Sequence, residues 1–512
     1  MSDDNNAAAP DQPQVPTVLV CNCDRTMEID AAALAKSLAD VRGTSDELPV
    51  FNQLCRQQIA GYEAAIESGA PVLVACTQEA PLFAEIAAEK GVAEPLFTNI
   101  RERAGWCENK VGSTAKMAAL LADALHENRP AEQMTITSEG TCLVYGPGQQ
   151  ALDAAGKLAS RLSVTALLTD PAGAIPPGTA DVPIYKGTIA NAAGALGNFE
   201  VVVDGYAPIV PSSRRELAFM MERDGAASKC DIILDLSGNT PLFSDTDRHD
   251  GYFHVDPSKP GDLADALFAA SDLVGEFEKP LYVRYDANIC AHGRSGQTGC
   301  SNCLDNCPVS AITPTGDTVE INPLICGGCG SCSSSCPTGA VSYAYPDRAD
   351  IVTRAQKLIT AYSDAGGKNP VILFHDGSHG APLISAMARF GHGLPVNVLP
   401  VSLYTATQLG HEVMAGILAS GAEHVVVLAP NTRRDELAAL RGEVDLTNAV
   451  LSALGTSEPR THLLVEDDPD KVEEALYGLE VLTGIARSVF TPSPQKRETA
   501  RLAFAALHEN AA

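Results

Sequence analysis

Eight of the 15 cysteines lie between Cys290 and Cys336, and they repeat. Superposing "CSNCLDNCPVSAI" (Cys300 to Ile312) on "CGSCSSSCPTGAV" (Cys329 to Val341) aligns three cysteines, a proline, an alanine and a β-branched residue at a constant offset of 29. The second copy also contains Cys326 and so reads C-x2-C-x2-C-x3-C-P, the run of bacterial two-cluster ferredoxins in which the fourth cysteine ligates the other cluster. In the first copy the equivalent position is Gln297, and the missing thiol stands seven residues earlier at Cys290. That copy reads C-x9-C-x2-C-x3-C-P. The short C-x2-C-x3-C part already fixes how the chain wraps a cubane, so the remaining ligand can arrive from a loop, and the insertion decorates the site without spoiling it. Zinc ribbons also pair C-x2-C motifs, but they do not follow them twice with C-x3-C-P.

The duplication assigns one [4Fe–4S] cluster to Cys290, Cys300, Cys303 and Cys336, and another to Cys326, Cys329, Cys332 and Cys307. Pro308 and Pro337 fix φ and withhold an N–H close to the sulfur. The glycines of "GGCGSC" and "GRSGQTG" let backbone N–H groups approach the clusters, which raises their potentials. His292, in the inserted loop, could replace Cys290 as a ligand; a polar loop residue is the plainer reading.

Five more cysteines stand near the N-terminus: Cys21, Cys23, Cys55, Cys76 and Cys107. A single cysteine is most often a small buried hydrophobe. Here all but the first pair sit beside strand ends or turns, where they can converge at the carboxyl edge of one sheet.

The elements that must position these groups give an α/β multidomain chain, with parallel-sheet units flanking a two-cluster ferredoxin domain. Residues 1–16 form a disordered tail. Residues 17–130 form an N-terminal α/β domain, with "TVLVC" and "APVLVACT" as buried strands and "APLFAEIAAEKG" as a helix stopped by Gly91. The polar stretch "ENRPAEQMTITSEG" separates it from residues 138–279, where "TCLVYGPGQQALDAAGKLASRLSVTALLTD" reads strand, glycine turn, helix, strand. The cysteine-dense domain covers 280–346. A further α/β domain covers 350–490 and contains no cysteine; its "FHDGSHG" places His375, Asp376 and His379 in a strand-to-helix turn, where helix capping is their ordinary role. Residues 491–512 form a terminal helix.

The segments "VCNCD", "LCRQQ", "ACTQEAP" and "NIRERAGWCENK" resemble, in order and context, the N-terminal domain of the flavoprotein A subunit of heterodisulfide reductase and its bacterial relatives. "GNFEVVVDG" and "GYFHVDPSKPGDLADALFAASDLVGEFEKPLYV" are similar to segments before that subunit's ferredoxin domain, so the resemblance runs in patches from Thr17 to Tyr345. It implies a further, non-standard [4Fe–4S] cluster, for which Cys23, Cys55, Cys76 and Cys107 are the matching candidates and Cys21 is a spare. The chain departs from the family at Ala104, where relatives carry the motif's cysteine, and Cys107 three positions on is expected to replace it. Trp106 is either a shield beside that cluster or core.

The resemblance also implies FAD. Gly146 and Gly148 survive from the glycine fingerprint, Ala151 takes its third place, and Asp170 closes the second strand where a ribose-binding acid belongs. Pro147 removes one N–H donor from the turn, and the family's flavin-site residues after Asp170 are not recognisable. The domain is therefore read as a degenerate nucleotide fold without flavin.

Acidic residues outnumber basic ones by 64 to 36, giving a formal charge of -28 that repels a phosphate backbone. Nucleic acid is not an expected partner. The N-terminus lacks the basic start and apolar run of a secretory signal, and no apolar stretch is long enough for a membrane span. The expected protein is cytoplasmic, with metal-ligating cysteines and not disulfides. The expected role is one-electron transfer through two [4Fe–4S] clusters, with a third on the N-terminal cysteines, to or from a redox enzyme. Bacterial proteins resembling this chain accompany molybdenum-dependent formate dehydrogenases, which suggests that class of partner. A flavin-containing oxidoreductase subunit and a redox-sensing or maturation factor for a metalloenzyme are the competing readings.

Overall fold

A computed structural model describes residues 15–510 except 45, 111, 127–128, 180, 246–247 and 483–484. The expected disordered tail lies outside the described residues but for Val15 and Pro16. The chain divides into two compact units, one made of 1–130 with 333–512 and the other of 131–332.

The first unit contains two sheets of the same design. In the N-terminal one the strands Thr17–Cys21, Val50–Phe51, Val72–Val74 and Leu96–Phe97 are all parallel, and the first strand lies between the second and third. The run Val72–Val74 is buried throughout, as expected for a parallel strand covered on both faces. Helices follow the strands in alternation: Ala31–Ser37, capped by the Asp30 carboxylate, then Ile59–Glu67, then Ala80–Glu89, after which Gly91 turns the chain at φ +66°. The C-terminal sheet repeats the order with Val371–Asp376 between Val398–Leu403 and His424–Ala429, and Thr461–Val465 outside.

These two α/β segments share one core. Ala115 and Ala119 of the helix Ser113–Ala124 pack with Val352, Ala355 and Ile359 of the helix Arg348–Asp364, and Arg354 clamps Asp123 at 2.6 and 2.7 Å. The terminal helix Lys496–Glu509 buries Ala503 and Leu507 in the same core.

The second unit holds a seven-stranded sheet. Five parallel strands run Ile184–Ala193, Ser163–Leu168, Thr141–Gly146, Ile232–Asp235, Tyr252–His254, with Phe199–Pro208 and Ala226–Cys230 antiparallel at one edge. Numbered along the chain, the parallel strands stand 3-2-1-4-5, the order of a dinucleotide-binding sheet. A departure from that design lies in the crossover between the second and third parallel strands, where the described residues of 169–183 contain no helix.

The polar stretch expected to be a separator contains a strand. Gln133–Ser138 pairs antiparallel with Gly275–Pro280, and only Ile136 and Ser138 of it are buried. Its alternating polar residues hid it, because a two-stranded ribbon wetted on one face needs few apolar side chains. The cysteine-rich part of this unit is built from short pieces: the helix Asn302–Asp305, the hairpin Ile312–Thr315/Thr318–Ile321 and, inside the insertion, the hairpin Gly293–Arg294/Gln297–Thr298.

Candidate metal centres

The N-terminal strands end at a common edge, and their cysteines meet there. Cys21 ends the first strand and Cys23 follows it, Cys55 follows the second and Cys76 the third; together they line a cavity of ≈ 260 Å³ closed by Asn99–Glu102 after the fourth. The carboxyl edge of a parallel sheet, where strand order reverses, is where open α/β folds place ligands. The backbone is strained at this edge: Cys23, Asp24 and Arg25 are three successive non-glycine residues with φ between 52 and 63°.

The thiols influence one another electrostatically, Cys21 acting on Cys55 and Cys55 on Cys76. The Cys23 N–H donates to Cys21 Sγ at 3.4 Å. Burial pushes the Cys55 thiol up, with Glu79 and then Cys21 adding to it, and burial pushes Cys76 up as well, partly offset by the N–H groups of Glu79 and Gln78. Arg101 Nη1 donates to Cys23 Sγ at 3.2 Å. Burial weighs against the Arg101 charge, but its bonds to Glu102 and Cys23 outweigh that and hold it firmly cationic. Glu102, buried, also accepts from Arg389 at 2.7 Å. Four soft ligands, half-buried beside a fixed cation, suit an iron core better than free thiols, because ligation supplies the charge that makes buried thiolates stable.

Cys107, one of the four expected ligands, does not line this cavity. Its buried thiol lies 3.4 Å from Asn109 O, and the charges acting on it are those of Lys116 and Lys110. Cys21, expected as the spare, does line the cavity. Ala104 lies in the single π-turn Arg101–Gly105 and packs into the core, so that turn presents Arg101 and Glu102 to the cavity and no side chain from position 104. Trp106 does not line the cavity; it backs it, with the guanidinium of Arg101 4.4 Å from its ring centroid and that of Arg389 at 5.5 Å.

In the second unit the thiols of Cys307, Cys326, Cys329 and Cys332 crowd together. Burial pushes Cys332 well up, and the neighbouring Cys329, Cys326, Cys307 and Cys303 push it further. A crowd of buried and half-buried sulfurs of this kind suits an iron–sulfur core. Cys307 Sγ accepts the Ala311 N–H at 3.2 Å. Cys290 Sγ accepts the His292 N–H at 3.4 Å. His292 itself is buried, and its Nδ1 lies 2.8 Å from Cys300 O while its own carbonyl accepts from Gly299 at 2.6 Å. It staples the insertion to the start of the first motif, touching both the Cys290 sulfur and the Cys300 carbonyl.

In the first unit Cys336 is prepared for ligation. Burial would raise its thiol, but N–H groups of Val341, Thr338 and Gly339 and the Thr338 hydroxyl overcome this and favour the thiolate.

The glycine turn does not fit a pyrophosphate. Gly148 N–H donates to Asp170 O at 2.7 Å, and a Cβ on Gly148 would lie 3.0 Å from that oxygen and 3.4 Å from Ala174 Cβ. The Asp170 carboxylate caps its own turn at Ala172 N, and Gln149 Oε1 holds Ile175 N at 3.0 Å. The helix-free crossover therefore folds onto the donors a dinucleotide would need. Ala151 is fully buried and serves helix–sheet packing. Cys142 and Cys230 are core residues; burial pushes Cys230 up to about 12. In the C-terminal sheet Asp376 caps the following helix at His379 N, and the buried His375 is held neutral by burial, its pKa pulled down to about 4.

Sequence reasoning missed the cations around these thiols. Arg101 stands in a quoted motif, yet Arg389, Arg248, Lys279 and Lys496 carry no local signature. The geometric grouping at His411, Glu412 and Glu443 is filled by one of them: Lys496 Nζ lies 3.7 Å from Glu412 and 4.0 Å from Glu443.

A family model of a 4Fe-4S dicluster domain matches residues 298–340. The match spans both C-x2-C-x3-C-P motifs and begins after Cys290. A comparison with curated proteins found no match to the chain. Among the described residues no helix is long and apolar enough to cross a membrane.

Proposed function

We propose that this 4Fe-4S dicluster protein carries single electrons through three cubane clusters. Two are held by the duplicated frame, with Cys290, Cys300, Cys303 and Cys336 as one ligand set and Cys307, Cys326, Cys329 and Cys332 as the other. The third is held by Cys21, Cys23, Cys55 and Cys76. The observation that carries the reading is the convergence of four N-terminal thiols on one cavity in a chain that already contains a dicluster domain. When bound, such clusters accept and release one electron at a time. The chain's own groups hold the thiolates, shield them from water and set the local charge.

The N-terminal cavity and the 3-2-1-4-5 sheet both support kinship with the A subunit of heterodisulfide reductase. The covered glycine turn supports loss of the flavin and a scaffold role for that domain. A non-catalytic cytoplasmic carrier follows from this, with a redox enzyme, of which a molybdenum-dependent formate dehydrogenase is the leading class, at one end. The test is reduction of the anaerobic protein by formate plus such an enzyme, followed by electron paramagnetic resonance. Cluster signals at substoichiometric enzyme support the reading. Reduction by dithionite but never by formate with the enzyme removes that partner, and stoichiometric flavin released on heating would place the chain among the flavoenzymes.

A further inference from the structure

Two buried cations from the nucleotide-like part of the second unit end on the loop that bears Cys326. Lys279 stands on the strand Gly275–Pro280, opposite Met134, with its side chain 6% exposed. Its Nζ donates to Leu324 O at 2.8 Å and to Asp250 Oδ2 at 2.9 Å. Arg248, 7% exposed, donates to Gly327 O at 3.3 Å, and its Nε faces Asp245 at 3.5 Å. Gly327 is needed for this approach, since a Cβ there would lie 2.9 Å from Arg248 O. The peptide carbonyls on both sides of Cys326 are thus gripped by positive groups. Both charges favour the Cys326 thiolate, against the burial that pushes the thiol up.

We propose that Lys279, with Arg248 beside it, is a tuning residue for the cluster of Cys307, Cys326, Cys329 and Cys332, raising its reduction potential. The proposal rests on the reading of those cysteines as cluster ligands. A reduced cluster carries one more negative charge, and a cation in a low-dielectric surrounding stabilises that state more than the oxidised one. Asp250 offsets Lys279 only in part: its carboxylate is 53% exposed and screened by water, whereas the ammonium is enclosed. The domain that has lost its nucleotide donors keeps a role as a source of buried charge for the neighbouring loop.

The experiment is an anaerobic redox titration of the full chain followed by electron paramagnetic resonance, with iron and sulfide measured on the same samples. Lys279→Met is expected to move one titration wave to lower potential, raising its oxidised-to-reduced ratio at the wild-type midpoint at least tenfold, which is about 59 mV for a one-electron couple. Lys279→Arg restores it. Asp250→Asn moves the same wave upward, a change that a merely structural contact would not produce. Unchanged waves at full iron content, or shifts of the same sign in Lys279→Met and Asp250→Asn, overturn the proposal. Should Lys279→Met lose iron, Asp250→Asn decides: an upward shift supports it, and no shift overturns it. A wild-type protein without cluster iron would overturn the parent reading instead, and the iron analysis identifies that case.

Discussion

At the residue scale, the thiols proposed as ligands and the bystanders are separated by substitution. Cys55→Ala or Cys76→Ala is expected to remove about four irons per chain, the content of one cubane, while Cys107→Ala leaves the iron content unchanged. Equal loss from Cys107→Ala would return that residue to the ligand set. The duplicated motif was legible because its spacing is the ligand geometry itself. The N-terminal set was legible only as a crowd of cysteines. Choosing Cys21 over Cys107 needs the fold, since the resemblance aligned position 104 by sequence whereas the π-turn directs Arg101 and Glu102, not its later residues, into the cavity.

Lys116 offers a second test at this scale. It is fully buried, donates to Pro395 O at 3.0 Å, and burial pulls its pKa from 10.5 down to about 7. A base whose folded pKa is depressed destabilises the fold while the unfolded chain is charged. That penalty is complete below about pH 7 and fades as pH rises toward 10.5. Lys116→Met should raise the melting temperature by several degrees at pH 6 and by much less at pH 10. A gain independent of pH would show that packing, not charge, sets the difference.

At the element scale, the terminal helix Lys496–Glu509 holds the loop of Cys336. Lys496 Nζ donates to the carbonyls of Ser333, at 3.4 Å, and Ser334, and Arg497 Nε donates to Pro337 O at 3.1 Å, so the helix start grips the chain on both sides of Cys336. Lys496 is also a cation facing the buried Glu412, and removing it leaves that carboxylate with Arg348 3.7 Å and the His411 imidazole 3.9 Å away. Lys496→Met should cost about 3–5 kcal/mol, the usual result of breaking a buried pair, with much of it recovered in Lys496→Met/Glu412→Gln. Denaturant midpoints of the two variants check this. The helix was visible in the sequence from its alanine-rich amphipathic pattern, but its target was not, because a lysine bound to backbone carbonyls leaves no partner residue type to recognise. The strands Thr17–Cys21 and Val72–Val74 were readable as short apolar runs, whereas Val50–Phe51 and Leu96–Phe97 are too short to stand out. The strand Gln133–Ser138 was not readable, since its pairing partner lies far along the chain and supplies the order that its own composition does not.

At the scale of the whole molecule, the charge of -28 governs encounters. Electron transfer to a basic one-electron acceptor should slow steeply as salt rises from about 0.01 M to 1 M, over which the Debye length falls from ~30 to ~3 Å. A rate insensitive to salt would mean that the docking surface is not the acidic one. The α/β class and the ferredoxin domain were legible from composition and spacing. That the first and last α/β segments share a core was not, because contacts such as Arg354 with Asp123 join residues more than two hundred positions apart.

The most direct measurement is iron and acid-labile sulfide per chain on anaerobically purified protein, wild type beside Cys55→Ala. Three cubanes of four irons predict about twelve irons falling to about eight in the variant. About eight in both would contradict the N-terminal cluster and leave a two-cluster ferredoxin.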